Sequence, residues 1–317
     1  MTTILKLKKN IYSLIGITSL IFFSQTTWAA NPTADCLVNP ATGVVTQVGN
    51  GNLGPPAEFD CFAQPDSQKV KFYKVMLCTS AYNNAVTDAL GPNAFLSSCT
   101  TLYESTAGDE VNVTVGVTAP LTGTLTPVAG TYRTLYVEAD PTFKYTQAGQ
   151  FDAAMTYQAT LGTAFCATNA TAALTNQAGV NSPANVTCNF ANLAAAEAGK
   201  LETSVTINDL NNNNAADRSR SMMQAVTSLS TQTFSAALIN PTTHNLITWP
   251  DGAANPAGTR LAAWMANPIT ITPAQALAPN FTLTFSNSRG ISTVSDGNKN
   301  QIMGVHPGAF DMVLTIQ

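Results

Sequence analysis

The chain has 317 residues, with 14 Lys and Arg against 18 Asp and Glu, so its formal net charge is −4. This acidic balance excludes nucleic acid as the main partner, because binding to phosphates requires clustered positive charge. Charged residues make up 10% of the sequence and hydrophobic residues 45%, a composition that also excludes an intrinsically disordered chain.

Residues 1–29 have the composition of a secretory signal peptide. Lys6, Lys8 and Lys9 precede an apolar run and a short polar exit that ends in small residues. The run has about 13 residues, whereas a membrane span needs about 20, and no later stretch comes close to that length. The mature chain is therefore predicted to be secreted, at the cell surface, in the extracellular space or in the periplasm, with no transmembrane segment after signal removal. The short Lys-rich leader is typical of bacteria.

Residues 30–163 are predicted to form an N-terminal, disulfide-braced β lobe. Residues 70–78 and 130–139 are rich in β-branched and aromatic side chains, and residues 111–117 alternate four valines with polar or small residues. Alternation with one polar face is typical of antiparallel sheets that are buried on one side. Gly- and Pro-rich stretches separate the runs. The sequence thus predicts a mostly β fold, an antiparallel sandwich of Greek-key type with few short helices.

Six cysteines lie in the exported part of the chain, and their spacing predicts three sequential disulfides. The predicted pairs are Cys36–Cys61, Cys78–Cys99 and Cys166–Cys188. An even number of cysteines in an oxidising compartment favours disulfides. The sequence lacks the C-x2-C spacing that is typical of zinc sites. Each pair brackets a stretch rich in Pro, Gly, Asn or Ala, and closing such a loop stabilises a fold by roughly 3 kcal/mol. A crossed pairing is the alternative.

The composition changes to Ala, Asn and Thr over residues 164–200, which are predicted to be a connecting or inserted segment. A C-terminal β lobe is predicted to follow at residues 201–317. Helix signals are few. Residues 192–200 are Ala-rich and predict two helical turns, and residues 215–229 carry apolar side chains at near-helical spacing and predict a second helix.

The second lobe ends in its most regular strand. Residues 201–207, 246–249 and 281–285 predict earlier strands, and residues 310–316 alternate without a fault. The apolar face of this last run carries Phe310, Met312, Leu314 and Ile316. Its other face is polar enough to meet solvent. Such a strand can close its own domain or add to the edge of a neighbouring molecule, so these four residues are predicted to form an assembly strand.

An Asn-rich stretch has the spacing of a calcium loop. Its predicted oxygen ligands are Asp209, Asn211, Asn213, the carbonyl of Ala215, and Asp217. Two departures weaken the pattern, because position 6 is Asn214 rather than Gly and position 12 is Arg220 rather than Glu. An Asn-rich turn that caps the following helix is the alternative. The sequence indicates no other cofactor.

The sequence contains no motif of a catalytic centre. It has no G-x-S-x-G elbow, no H-E-x-x-H pair and no glycine-rich phosphate loop. Its two histidines, His244 and His306, lie in turn-like contexts, and paired cysteines would leave no thiol nucleophile. The chain is therefore predicted not to be an enzyme. The alternative is a glycosidase, because glycoside hydrolysis needs only two suitably placed carboxylates.

These features predict an exported structural or assembly protein of the bacterial cell exterior, a subunit of a surface layer or filament. Its expected partners are copies of itself or other surface proteins. The alternative function is a secreted binding module, either an adhesin or a carbohydrate binder. Such a module would use exposed aromatic residues such as Trp249 and Trp264, for which core packing is the competing interpretation.

Overall fold

The structure is a computed structural model of the chain. It describes residues 36–46, 59–81, 96–113, 118–119, 124–152, 154, 156–157, 160–170, 174–175, 185–207, 222–226, 234–245, 247, 259–277, 281–286, 291–295, 302–307 and 311–316. The predicted signal peptide at residues 1–29 and the five predicted calcium ligands between Asp209 and Asp217 lie outside these ranges.

The described residues form 23 strands and two short helices. The strands of the first half are β1 (Leu37–Val38), β2 (Val44–Thr46), β3 (Phe59–Ala63), β4 (Ser67–Cys78), β5 (Cys99–Asn112), β6 (Thr118–Ala119), β7 (Thr124–Leu125), β8 (Gly130–Ala139), β9 (Thr142–Thr146), β10 (Ala148–Phe151), β11 (Thr156–Tyr157) and β12 (Thr160–Leu161). Those of the second half are β13 (Phe165–Thr168), β14 (Leu174–Thr175), β15 (Val186–Thr187), β16 (Thr203–Thr206), β17 (Met222–Val226), β18 (Phe234–Ile239), β19 (Arg260–Ile271), β20 (Phe281–Ser286), β21 (Ile291–Ser295), β22 (Ile302–Pro307) and β23 (Asp311–Ile316). The helices are α1 (Leu193–Gly199) and α2 (Pro273–Leu277).

The largest sheet has ten strands and is built around β4. Its order is β14-β16-β9-β4-β8-β19-β18-β17, and β5 pairs with β4 and then with β7. Both β8 and β9 pair antiparallel with β4, β8 with its C-terminal part and β9 with its N-terminal part. They therefore lie end to end along β4 and are separated by Asp140 and Pro141. Pro141 has no N–H to donate to a neighbouring strand. At this break the Asp140 N–H donates to the Lys71 carbonyl, and the Asp140 carboxylate accepts the Thr142 N–H. The sheet divides at this break, because β8 continues to β19 whereas β9 continues to β16.

Strands from both sides of the predicted lobe boundary share the large sheet. β4, β5, β8 and β9 precede residue 164, whereas β16, β18 and β19 follow residue 200. β19 is hydrogen-bonded along most of β8, and β16 is hydrogen-bonded along β9. The two predicted lobes are therefore joined by main-chain hydrogen bonds, and their division stays a prediction about folding units.

Four smaller sheets accompany the large one. Their orders are β1-β2-β10-β13-β15, β23-β20-β6, β22-β21-β3 and β11-β12. One hydrophobic cluster joins Phe72 and Val137 of the large sheet to Cys166 of the five-stranded sheet and Leu314 of β23. The apolar face of the large sheet is thus covered by other sheets. The predicted class, a mostly antiparallel β fold of sandwich type with few short helices and with disulfides, is confirmed.

A second, smaller cluster lies on the opposite face of the large sheet. It consists of Cys78, Tyr136, Ala237, Ile239, Ala262 and Trp264, and Met76, Leu96 and Cys99 pack against it. These residues alternate along their strands with those of the main core, as period two requires. Both faces of the central strands are therefore buried. Trp264 is fully buried in this cluster, which confirms core packing for that residue, and Trp249 lies outside the described residues.

Two of the three predicted disulfides are confirmed. Cys78 is bonded to Cys99, which lies directly opposite it across β4 and β5, and Cys166 is bonded to Cys188. Cys36 is also disulfide-bonded, and no described cysteine is free. The side chain of Cys61 lies outside the described part of the chain, so its pairing with Cys36 stays a prediction.

The helix predicted at residues 192–200 is confirmed as α1, which begins after its N-cap Asn192. The helix predicted at residues 215–229 is wrong, because residues 222–226 form β17 and pair with β18. The local pattern does suit a helix, but helix propensity is a weak signal, and pairing with the available edge of β18 prevails over it. No helix in the described ranges is long and apolar enough to cross a membrane.

Most of the predicted strands are observed. β4, β8, β16, β20 and β23 correspond to predicted runs. The run at residues 111–117 is only partly observed, because β5 ends at Asn112 and residues 114–117 lie outside the description. Ile247, the described member of the run at residues 246–249, is not in a strand. Of the predicted assembly strand, Phe310 and the side chain of Ile316 are outside the described set.

Buried tyrosines predict how the fold responds to alkali. Burial raises the pKa of both Tyr136 and Tyr145 well above the ordinary value of 10.0. Above pH 10 the unfolded chain therefore loses tyrosine protons that the folded chain keeps. The contribution of these tyrosines to the free energy of unfolding is fully present below pH 10. It falls as pH rises further, by about 1.4 kcal/mol per pH unit for each tyrosine. The chain has eight tyrosines, so we expect only the last part of the tyrosinate absorbance to appear together with the loss of circular dichroism. Ionisation of all the tyrosines in a protein that keeps its native circular dichroism would contradict this prediction.

Candidate functional site

A carboxylate is buried on the second face of the large sheet. Glu138 of β8 is only 3% exposed, and it lies opposite Lys74 of β4 and Ala262 of β19. Burial of an ionised carboxylate is costly unless hydrogen bonds or an opposite charge compensate it. The residues around Glu138 therefore form the first candidate site.

Tyr136 and His244 meet the same oxygen of Glu138. The Tyr136 hydroxyl donates a hydrogen bond to Oε1 at 3.0 Å, and the His244 Nδ1 atom lies 3.2 Å from that oxygen. Burial, followed by the nearby carboxylate, raises the pKa of Tyr136 far above its usual value, so this hydroxyl remains a donor. The His244 contact has the separation of an ion pair but not the alignment of a hydrogen bond.

A tight turn after β18 carries His244 to the carboxylate. The Asn240 side chain accepts the N–H groups of Thr242 and Thr243, and the His244 N–H donates to the Asn240 carbonyl at 2.7 Å. His244 has φ = 54°, the left-handed region that Gly or Asn occupies at lower cost. The backbone alone would not select histidine here. This conformation places the imidazole next to the Glu138 carboxylate.

A second polar group lies where β8 meets β9. The Tyr73 hydroxyl donates to the Asp140 carboxylate at 3.1 Å, and the Arg260 guanidinium lies 3.3 Å from the centre of the Tyr73 ring. Burial and Asp140 raise the pKa of Tyr73, while Arg260 acts in the opposite direction. Gly108 has φ = +73°, and a Cβ atom there would lie 2.7 Å from the Tyr73 ring, so glycine fits this position. These contacts fix the break in the sheet.

Each of the two groups connects one part of the chain to another. In the described ranges no three His, Cys, Asp or Glu side chains are grouped so that they could hold a metal ion. The contact between Glu138 and His244 ties a turn to the sheet. His306 belongs to β22, where it lies opposite Ser292 of β21.

The predicted assembly strand is paired within its own chain. All six residues of β23 lie opposite residues of β20. Met312 and Leu314 are buried in the main core, whereas Val313 is 47% exposed on the other face. In the three-stranded sheet, β23 is an edge strand with β20 as its neighbour.

Asn267 occupies the outer edge of β23. It is 6% exposed and lies in β19, where the pairing with β8 shifts between Ala266 and Ile269. Its Nδ2 atom donates to the Leu314 carbonyl at 3.3 Å, and its Oδ1 atom accepts the Leu314 N–H at 3.2 Å. The side-chain amide thus mimics the peptide group of a neighbouring strand. We call β20, Asn267 and the core surface beneath Met312 and Leu314 the β23 slot.

Sequence reasoning missed Glu138, His244 and Asn267 as a group of positioned polar residues. The one local signal was Asn267-Pro268 inside an otherwise apolar strand, because proline within a strand indicates a bulge or an edge. Glu138 and His244 come together only through the pairing of β8, β19 and β18. That pairing is not encoded in any short window of sequence.

Comparison of the chain with protein-family models, with curated proteins and with solved structures found no match. The fold and the contacts above define a disulfide-braced antiparallel β protein. Its disulfides fit an extracellular or otherwise oxidising environment.

His244 is expected to stabilise the fold through Glu138. His244→Ala keeps a side chain that is equally strained at positive φ but removes the imidazole that lies 3.2 Å from the carboxylate. Because the imidazole is 23% exposed, we expect a loss of about 2 kcal/mol rather than the full cost of breaking a buried pair. Urea denaturation measures this loss. His244→Asn is the matched control, since Asn tolerates the left-handed region. A His244→Ala protein at least as stable as wild type would show that the contact contributes nothing.

Proposed function

We propose that this chain is an exported, non-catalytic structural protein of the bacterial cell exterior, a subunit that assembles with copies of itself. The observation that carries the proposal is the β23 slot. It holds a strand by backbone pairing along β20, by the Asn267 amide, and by burial of Met312 and Leu314.

A slot of this kind can hold the same strand from a second molecule. The β23 strand of a neighbouring copy would make the pairing, amide and core contacts that it makes within one chain, so the exchange requires no new interface. Repeated exchange from copy to copy would link subunits into a polymer. Disulfides at Cys78–Cys99 and Cys166–Cys188 support a role outside the cytoplasm.

Two measurements test the proposal. Size-exclusion chromatography and negative-stain microscopy of residues 30–317 are expected to show polymers at high protein concentration, and a monomer under all conditions would contradict the proposal. Cysteine pairing then tests whether β23 is the link. Thr284 lies directly opposite Val313, so a Thr284→Cys, Val313→Cys protein is expected to form disulfide ladders on non-reducing gels when strands are exchanged. Val313→Cys alone is the control. If the protein forms polymers but the engineered disulfides join residues of the same chain only, strand exchange at β23 does not link the subunits.

A further inference from the structure

Asn267 is a polar residue on an apolar face of β19. Leu261 and Met265, which precede it at even spacing on the same strand, belong to the main core. Asn267 itself is 6% exposed, whereas the adjacent Ala266 is exposed to solvent. The Asn267 amide therefore points into the core, where a polar group is costly unless hydrogen bonds satisfy it.

The hydrogen-bond partner of this amide is the main chain of one residue of β23. The Leu314 N–H donates to Oδ1 of Asn267 at 3.2 Å, and the Leu314 carbonyl accepts from Nδ2 at 3.3 Å. Residues 311–316 are paired with β20 along the other edge of the strand. Because one side chain makes both bonds to Leu314, the strand must break them together in order to leave the β23 slot.

We propose that Asn267 is a latch that controls how often β23 leaves its slot, and with it the rate of strand exchange between copies of the chain. The exchange rests on the proposed function, whereas the latch concerns a single chain. Each hydrogen bond contributes about a factor of five, so loss of both is expected to raise the population of open slots roughly 30-fold. Pairing with β20 and burial of Met312 and Leu314 still hold the strand, so the slot stays mainly closed.

The latch acts on rates and leaves the balance between monomer and polymer unchanged. A β23 strand donated by a second copy presents the same Leu314 main chain, so Asn267 forms the same two bonds to it. Interactions that are equal in two states do not shift the equilibrium between them. The bonds are broken while the strand passes from one slot to another, so they slow assembly and disassembly by the same factor.

Native-state hydrogen exchange tests the latch in the monomer. In Asn267→Ala, the amides of residues 311–316 are expected to exchange roughly 30-fold faster than in wild type, because local opening exposes them. Residues 134–138 of β8 are the internal reference, and their exchange is expected to change far less. Equal acceleration in β23 and β8, or no acceleration in β23, would show that Asn267 is not a latch.

Two further variants separate the latch from a general loss of stability. Val205→Ala removes a fully buried side chain of the main core outside the slot, and the ratio of exchange rates in β23 and β8 is expected to stay as in wild type. A ratio that changes as much as in Asn267→Ala would refute the proposal. Asn267→Leu keeps the side-chain volume on an apolar face and serves where the alanine variant does not fold. It leaves the Leu314 N–H and carbonyl without their bonds, so β23 is again expected to exchange faster relative to β8, and no increase would overturn the latch.

Rates of assembly test the link between the latch and strand exchange. Light scattering follows the growth of polymers after concentration and their loss after dilution. Both rates are expected to rise by similar factors in Asn267→Ala, with the same final fraction of polymer as in wild type. A changed fraction at unchanged rates would contradict control by the latch. A wild-type protein that never polymerises would refute the proposed function, whereas hydrogen exchange would still decide whether Asn267 holds β23 in its slot.

Discussion

Leu314→Asp is expected to remove the folded monomer at room temperature. Leu314 is 4% exposed in the main core, and burying a leucine contributes about 1.5–3 kcal/mol. An aspartate at this position would also place an unpaired charge beside apolar side chains. The combined loss is expected to exceed about 4 kcal/mol, a large share of the stability of a typical domain. Circular dichroism and urea denaturation would measure it.

Val313→Asp is the matched control for this substitution. It places the same charge one residue away on the same strand, where the side chain is 47% exposed, and we expect a change within about 0.5 kcal/mol. The pair of variants also separates two roles of β23. A Leu314→Asp protein that stays folded but no longer assembles would show that the strand is donated to a neighbour. One that both folds and assembles like wild type would contradict either role.

Removing the Cys78–Cys99 disulfide is expected to cost about 3 kcal/mol. The bond closes a loop between residues separated by 21 positions, and without it the unfolded chain gains conformational freedom. The loop also contacts the second face of the sheet, because the Ser80 carbonyl accepts a hydrogen bond from Thr134 and Leu96 packs in the Trp264 cluster. Calorimetry of the Cys78→Ala, Cys99→Ala protein is expected to show a melting temperature lower by roughly 5–10 °C.

The second disulfide provides the comparison. Cys166 and Cys188 are separated by 22 positions, so loop entropy predicts nearly the same loss for Cys166→Ala, Cys188→Ala. A larger loss at Cys78–Cys99 would measure the contribution of the loop that packs over Trp264. An unchanged melting temperature in both proteins would show that the disulfides do not stabilise the fold.

Local patterns account for the parts of the structure that the sequence predicted. β8 is rich in β-branched and aromatic residues, β23 alternates, and α1 follows an Asn cap, so in each case a short window contains the signal. The helix α2 was not predicted, although its signal is also local. Thr272 and Gln275 form a reciprocal capping box, and Pro273 follows the cap. The strand β17 was missed for another reason. Its conformation depends on the edge of β18, which the sequence of β17 does not contain.

The candidate sites were less predictable than the fold. Each joins residues that lie far apart in the sequence, such as Glu138 with His244 and Asn267 with Leu314. Nothing in the local sequence distinguishes these residues from other polar residues, and only strand pairing brings them together. The two observed cysteine pairs were the exception, because an even number of cysteines at similar spacings is a pattern that the sequence displays directly.

The pairing of β3 with β21 has a consequence for how the protein folds. Residues 59–63 bond to residues 291–295, and β6 near residue 118 bonds to β20. Two small sheets therefore remain incomplete until the last part of the chain is available. Contacts of such high sequence separation slow folding, because the chain must close long loops first. We expect the protein to complete its fold only after residues 281–295 are available, and until then its early strands need protection from aggregation.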